Sequence, residues 1–170
     1  MLLAFDAHYS DEASRLVGAE FADWTDPEPA RLRVWAGGPA AAYQPGKFYQ
    51  RELPLLLSAL AEYELAEVAT VIIDGYVYLD ANGRPGLGHY LYEALDRRVP
   101  VVGVAKSYFR DNAAERVLRG QSQKPLYVTA AGIEAAAAAD HLRSMAGPYR
   151  MPDILAAVDR ATKAETPGGK

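Results

Sequence analysis

Apolar and polar positions along the chain fall into blocks of two periods, and the blocks alternate in a way that fixes an order of elements. Residues 2–8, 13–21 and 31–36 read as three extended segments separated by turns rich in Asp, Pro and Gly. The third alternates charged and apolar residues (Arg31, Leu32, Arg33, Val34, Trp35), as a half-exposed strand does. From 46 to 64 the period changes: Phe48, Leu53, Leu56, Leu57, Leu60 and Tyr63 recur at helical spacing behind Pro45-Gly46, which predicts a helix with Glu52 near its second turn. Residues 68–74 are β-branched and apolar on both faces, the mark of a buried parallel strand.

A turn-rich stretch over 80–88 and a helix over 89–97 lead to a second buried strand, 99–105, ended by Lys106. Strand, loop, helix, strand makes a crossover whose two strands should be parallel. Residues 116–119 and 125–129 read as a short hairpin pair, and helices are expected over 132–145 and 152–163. A tail from 165 is expected to be disordered. The order is that of an α/β, ribonuclease H-like fold: one domain over 1–164, with a mixed five-stranded sheet and helices on both faces. In that arrangement the first and fourth strands lie side by side, so Asp6 and Asp74 at their ends approach each other while the first helix lowers Glu52 toward the same point.

Composition narrows the chemistry. The chain has 170 residues, about half of them hydrophobic, enough for a core without staples. It has no cysteine and three histidines (His8, His89, His141), so any metal would be held mainly by oxygen. An acid at position 6 and the lack of a basic lead or long apolar run argue against a signal peptide or membrane span, and a cytoplasmic protein is expected. The net charge of −4 is not the footprint of a protein gripping duplex over a wide face. Seven basic residues (Arg97, Arg98, Lys106, Arg110, Arg116, Arg119, Lys124) against Asp111 and Glu115 nevertheless leave two readings of 97–124, a phosphate-binding stripe or a solvated face.

Carboxylates at the ends of buried strands are costly unless solvated, hydrogen-bonded or holding a cation. If Asp6, Glu52 and Asp74 converge, Mg²⁺ or Mn²⁺ would supply the compensating charge in hard oxygen geometry. Such ions activate a water and offset charge on the leaving oxygen of a phosphodiester, so no nucleophilic side chain is needed. Lys106 is placed either to donate to a phosphate oxygen or merely to snorkel from a strand end.

Several segments together resemble the endonuclease V family in order and spacing over nearly the whole chain. They are Phe5-Asp6-Ala7-His8-Tyr9, Tyr43-Gln44-Pro45-Gly46 through Arg51-Glu52-Leu53-Pro54, Ile73-Asp74-Gly75, Gly86-Leu87 with His89, Val102-Gly103-Val104-Ala105-Lys106, Val117-Leu118-Arg119 with 124–128, and 149–153. The resemblance implies a metal-dependent endonuclease of ribonuclease H-like fold that cuts 3′ of a deaminated purine with Mg²⁺ or Mn²⁺. It would act on DNA or RNA, single-stranded or lesion-containing, as a monomer in nucleic-acid repair. It implies catalytic Asp6, Glu52, Asp74 and Lys106, metal ligands Asp6, Glu52, Asp74 and Asp159, and substrate contacts at Tyr43 (the wedge), Pro45 and Gly46. The alternative is a non-catalytic nucleic-acid-binding homologue that keeps the fold and acids. Two departures bear on substrate choice. The family's His-Gly-x-Ala-His-Pro-Arg type of segment is here Tyr76-Val77-Tyr78-Leu79-Asp80-Ala81-Asn82-Gly83-Arg84-Pro85, and the helices the family carries ahead of its first strand are missing from this sequence.

His8, two residues past Asp6, reads either as a neighbour of the metal site or as a strand-end residue; His89 and His141 read as structural. Gly83, Gly86 and Gly88 lack the order of a nucleotide fingerprint and read as a flexible loop. Tyr43, Phe48, Tyr49, Tyr76 and Tyr78 flank the acids, as base-stacking or as core aromatics.

Overall fold

The computed structural model describes residues 1–39, 42, 44, 45, 47 and 49–164. Its strands are β1 (Leu2–Tyr9), β2 (Ser14–Phe21), β3 (Arg31–Gly37), β4 (Thr70–Asp74), β5 (Val101–Ala105), β6 (Glu115–Val117) and β7 (Leu126–Ala131). Its α-helices are α1 (Tyr49–Leu60), α2 (Leu87–Ala94), α3 (Ala135–Ser144) and α4 (Asp153–Lys163). No helix among the described residues is long and apolar enough to cross a membrane. The expected tail from 165 lies outside the described residues.

The first three strands form an antiparallel meander, and β4 runs parallel to β1 with Phe5 opposite Ile73. Strand β5 runs parallel to β4, as the crossover through α2 requires. The expectation of five strands needs correction: among the described residues the sheet has seven, in the order β3-β2-β1-β4-β5-β7-β6. The hairpin pair joins the same sheet because β7 lies antiparallel along β5, from Val101↔Ala131 to Ala105↔Tyr127, and carries β6 on its outer side.

Alternation along the inner strands splits the core in two. Ala4, Ile72, Val102, Val104 and Val128 face α3 and α4, where Leu142, Ile154 and Val158 meet them. Leu3, Phe5, Val71, Ile73 and Val101 face α1 and α2, where Leu56, Leu60 and Leu91 fill the layer. With both faces covered, the runs 68–74 and 99–105 have no solvent side, which is why they read as unbroken apolar blocks. Truncating a fully buried leucine of this layer, such as Leu60, to alanine would cost about 2–5 kcal/mol.

Candidate active site

The parity that sorts the core also sorts the strand ends. Asp6 follows Phe5, Asp74 follows Ile73 and Lys106 follows Ala105, so all three turn toward α4 at the end of the sheet where β1, β4 and β5 run out. There Asp6, Asp74, Lys106 and Asp159 line one small crevice with Met151 and Val158. Lys106 Nζ stands 3.3 Å from Asp74 Oδ2 and 3.0 Å from Asp159 Oδ1. Lys163 Nζ holds the other oxygen of Asp159 at 2.9 Å. A second anchor acts on the lysine's backbone, since Arg150 Nη2 donates to Lys106 O at 2.5 Å and to Pro125 O at 2.8 Å.

Glu52 comes from the first turn of α1, on the opposite face, and reaches the same strand ends. Burial raises its carboxyl from 4.5 to about 8, with Asp6 and Asp74 adding to the effect. Asp6 is raised from 3.8 to about 7, by burial first and Asp74 second, although it accepts the Ala7 N–H at 2.8 Å. Asp159 goes the other way: burial pushes it up, but Lys163 and Lys106 outweigh that and hold it below its ordinary value. Burial likewise pulls Lys106 down, and Asp74 and Asp159 more than reverse it. The acids therefore form two electrostatic halves: Asp159 is compensated by lysines, whereas Lys106 offsets burial and Asp74 only in part at Asp6, and Glu52 has the acids Asp6 and Asp74 as its charged neighbours.

Beside the acids, on the α1 and α2 side, opens a cavity of about 500 Å³. Glu52 and Asp74 form its acidic wall, Tyr49, Tyr76 and Phe109 its aromatic lining, and Arg84 its cationic one. Close backbone packing builds it. A Cβ on Gly103 would stand 2.5 Å from Gly75 O, so only glycine lets residues 75–77 cross β5, where Thr129 Oγ1 accepts the Val77 N–H at 2.8 Å. A Cβ on Gly86 would meet Tyr76 O at 2.5 Å. Of the glycines that read as a flexible loop, Gly86 and Gly88 are thus close-approach positions that seat the start of α2 on residues 76 and 77, while a Cβ on Gly83 would meet open space.

Of the residues singled out from sequence, Asp6, Glu52, Asp74, Lys106 and Asp159 meet here. Pro45 is exposed; Tyr43 and Gly46 lie outside the described residues, as does Phe48. His8 is exposed, His89 packs against Tyr78 and Tyr90, and His141 stacks on Trp24. The basic stripe breaks up: Arg97 pairs with Glu93, and Arg119 is buried, donating to Met145 O and Tyr149 O. Sequence reading missed Arg84, Phe109 and Arg150. The pair Tyr108-Phe109 just past Lys106 was a usable signal for Phe109; Arg150 fell within the 149–153 segment of the resemblance but carried no assigned role. Tyr9 was missed as well; its buried hydroxyl has no hydrogen-bond partner among the described residues, and burial and Glu52 push its ionisation up.

The sequence family described as Endonuclease V matches residues 1–146. The chain belongs to the endonuclease V family. Membership makes it a nuclease, a hydrolase. Among solved structures, the catalytic domain of human endonuclease V superposes with a TM-score of 0.74 at 19% identity, covering 95% of this chain and 80% of that one. Endonuclease V of Ciona intestinalis, in complex with a 23mer DNA containing an inosine followed by a ribo-adenosine, gives 0.74 at 16% identity, covering 95% and 83%. The Bacillus subtilis protein gives 0.71 at 19% identity, covering 95% and 78%. At such identities these likenesses establish the shared fold. Comparison with curated protein sequences returned no match. In this endonuclease V relative, no three His, Cys, Asp or Glu side chains among the described residues stand as a ready-made metal cage.

Proposed function

We propose that this protein is a divalent-metal-dependent endonuclease that hydrolyses a phosphodiester near deaminated purine, inosine above all, or at distorted sites in DNA or single-stranded RNA. The observation that carries the reading is the meeting, at one end of the sheet and beside an open aromatic cavity, of Asp6, Glu52, Asp74 and Lys106 from four separate segments. The strand order, with a β1–β3 meander and β4 parallel to β1, supports a ribonuclease H-like reading of the fold.

The donor set fits Mg²⁺ or Mn²⁺: it is all oxygen, Glu52 is buried beside two other acids, and Lys106 offsets the burial of Asp6 only in part. Magnesium commonly keeps several waters and takes only one or two carboxylates plus substrate phosphate, so a three-ligand cage is not required of the free protein. Asp6, Glu52 and Asp74 would hold the ion, which when bound supplies charge for activating the attacking water and for offsetting the leaving oxygen. Lys106, fixed by Asp159 in front and Arg150 behind, donates to a non-bridging phosphate oxygen. Asp159, assigned to the metal by the family resemblance, spends both oxygens on Lys106 and Lys163 here, so it acts through the lysine. The cavity has room for a purine turned out of its stack; Tyr49, Tyr76 and Phe109 offer ring faces, and Arg84 a donor for a purine oxygen or nitrogen. Action as a monomer, in the cytoplasm, in nucleic-acid repair, belongs to the same proposal.

The test is incubation of the protein with inosine-containing and plain oligonucleotides, single- and double-stranded, DNA and RNA, in Mg²⁺ or Mn²⁺. Cutting next to inosine that disappears in Asp74→Asn is expected. Binding without cutting in either metal, or cutting that survives Asp74→Asn, overturns the assignment.

A further inference from the structure

The aromatic lining of the cavity does not stop at its rim. Tyr76 and Phe109 line the cavity with ring centroids 6.1 Å apart, and the Tyr76 hydroxyl accepts the Phe109 N–H at 3.2 Å while donating to Ser107 O at 2.8 Å. Tyr76 lies 6.5 Å from Tyr127, which is nearly buried, and Tyr127 meets the edge-on ring of Tyr108 at 5.9 Å. Tyr108 is 57% exposed, so a ring reaches solvent with its orientation set from below by Tyr127. Arg116, opposite Tyr127 in the β6–β7 register, holds its guanidinium 5.9 Å over the same ring and is itself exposed. Single exposed aromatics are ordinary; a run of them continuous with a cavity, ended by a cation, is not.

Charge favours one kind of occupant. The whole chain carries −4, yet around this ladder Arg116 and Lys124 stand exposed against Glu115, and Arg110 is paired with Asp111, so the β6 edge keeps a small positive excess. A cation beside a fixed ring face suits a phosphate and its unpaired base, and duplex bases offer no free face for stacking. We propose that Tyr108 and Arg116 form an outer docking step for single-stranded nucleic acid, in which the strand leaving the cavity stacks a base on Tyr108 and sets a phosphate on Arg116. This rests on the nuclease reading above, and it adds a strand preference and two residues to it.

The experiment is fluorescence anisotropy with labelled 12-nucleotide single strands and the matching duplexes, in chelator so that nothing is cut, alongside cleavage in Mn²⁺. Tyr108→Ala is expected to weaken single-strand binding about tenfold, with Tyr108→Phe near the parent. Arg116→Ala is expected to weaken it similarly and to lower the salt dependence by about one phosphate contact. Arg143→Ala removes the same charge from α3 on the other sheet face and should leave binding unchanged. If the parent binds and cuts while Tyr108→Ala and Arg116→Ala bind single strands like the parent, the docking step is wrong and the nuclease reading stands. Equal losses on single strand and duplex, or in Tyr108→Phe, also overturn it. If the parent neither binds nor cuts any oligonucleotide, both readings fall.

Discussion

Replacing Asp6 by asparagine should stabilise the metal-free protein at alkaline pH. The side chain is half-buried against Asp74 and Glu52, and its carboxyl is raised from 3.8 to about 7, so the folded state binds this proton more tightly than the unfolded chain does. The stability tied to that proton is complete below about pH 4 and is lost as pH rises through about 7. At ~1.4 kcal/mol per tenfold, the full displacement corresponds to about 4 kcal/mol, and solvent contact at the crevice mouth reduces it to ~1–2 kcal/mol. For a domain of this size that is a rise of about 3–6 °C in Tm. Asparagine Oδ1 can keep the Ala7 N–H bond, so the gain is not offset by a lost acceptor. Thermal melts followed by circular dichroism in chelator at pH 8.5 should therefore place Asp6→Asn above the parent, with the difference gone at pH 4. Adding Mg²⁺ should raise the parent and leave the variant where it was. A variant that melts at or below the parent at pH 8.5 in chelator would show that burial and Asp74 together do not hold the Asp6 carboxyl above its ordinary value, and the electrostatic argument for a cation would fail with it.

Four further outcomes follow from the same geometry. Asp74→Asn should lower cleavage by roughly 100-fold or more without loss of fold, measured by single-turnover cutting beside circular dichroism. Lys106→Ala should cost a similar factor, mostly in kcat, whereas Arg150→Ala, which frees the backbone of Lys106 but leaves its ammonium, should cost less; equal losses would contradict a phosphate role for the ammonium. Arg119→Ala strands the Met145 and Tyr149 carbonyls in a buried position and should cost about 2–3 kcal/mol in urea denaturation, with little effect on oligonucleotide binding. Gly103→Ala must displace residues 75–77 to relieve a 2.5 Å approach and should cost ~1–3 kcal/mol, together with a loss of substrate affinity as the cavity wall moves.

How far the sequence could be read followed from where each element is buried. The strands β4 and β5 were plain because both faces are covered, leaving Val71, Ile72, Ile73, Val101, Val102 and Val104 without a polar interruption. Their parallel pairing followed from the intervening helix, whereas the neighbourhood of Asp6 and Asp74 followed from the expected strand arrangement, with the first strand beside the fourth. The hairpin of β6 and β7 was legible as a hairpin but not as part of the sheet, since short strands carry no mark of the edge they will join. Arg119 was counted with surface cations because a guanidinium bound to backbone carbonyls leaves no pattern in side-chain order. The cavity was the least legible part. Its shape depends on which backbone each glycine meets, Gly86 on Tyr76 and Gly103 on Gly75, and a sequence names the glycine without its neighbour.

The site straddles the end of the sheet, and this decides where positive charge is needed. Asp6, Asp74 and Lys106 turn toward α4, while Glu52 and the cavity belong to the α1 and α2 side. On the α4 side, Lys106 and Lys163 already balance Asp159, which is held below its ordinary value. On the other side Glu52 is pushed up to about 8 with Asp6 and Asp74 as its charged neighbours. An entering cation gains most beside Glu52, whose charged neighbours are acids, so on the proposed reading it is drawn between Glu52, Asp6 and Asp74, sharing Asp74 with Lys106, rather than toward the doubly paired Asp159. That is also the side on which the cavity opens, so a base held by Tyr76 and Phe109 would present its strand's phosphate to the cation from the cavity side, with Lys106 meeting the same phosphate from across the sheet end. A divalent ion bound instead at Asp159, with Lys106 displaced, would contradict this division of the site.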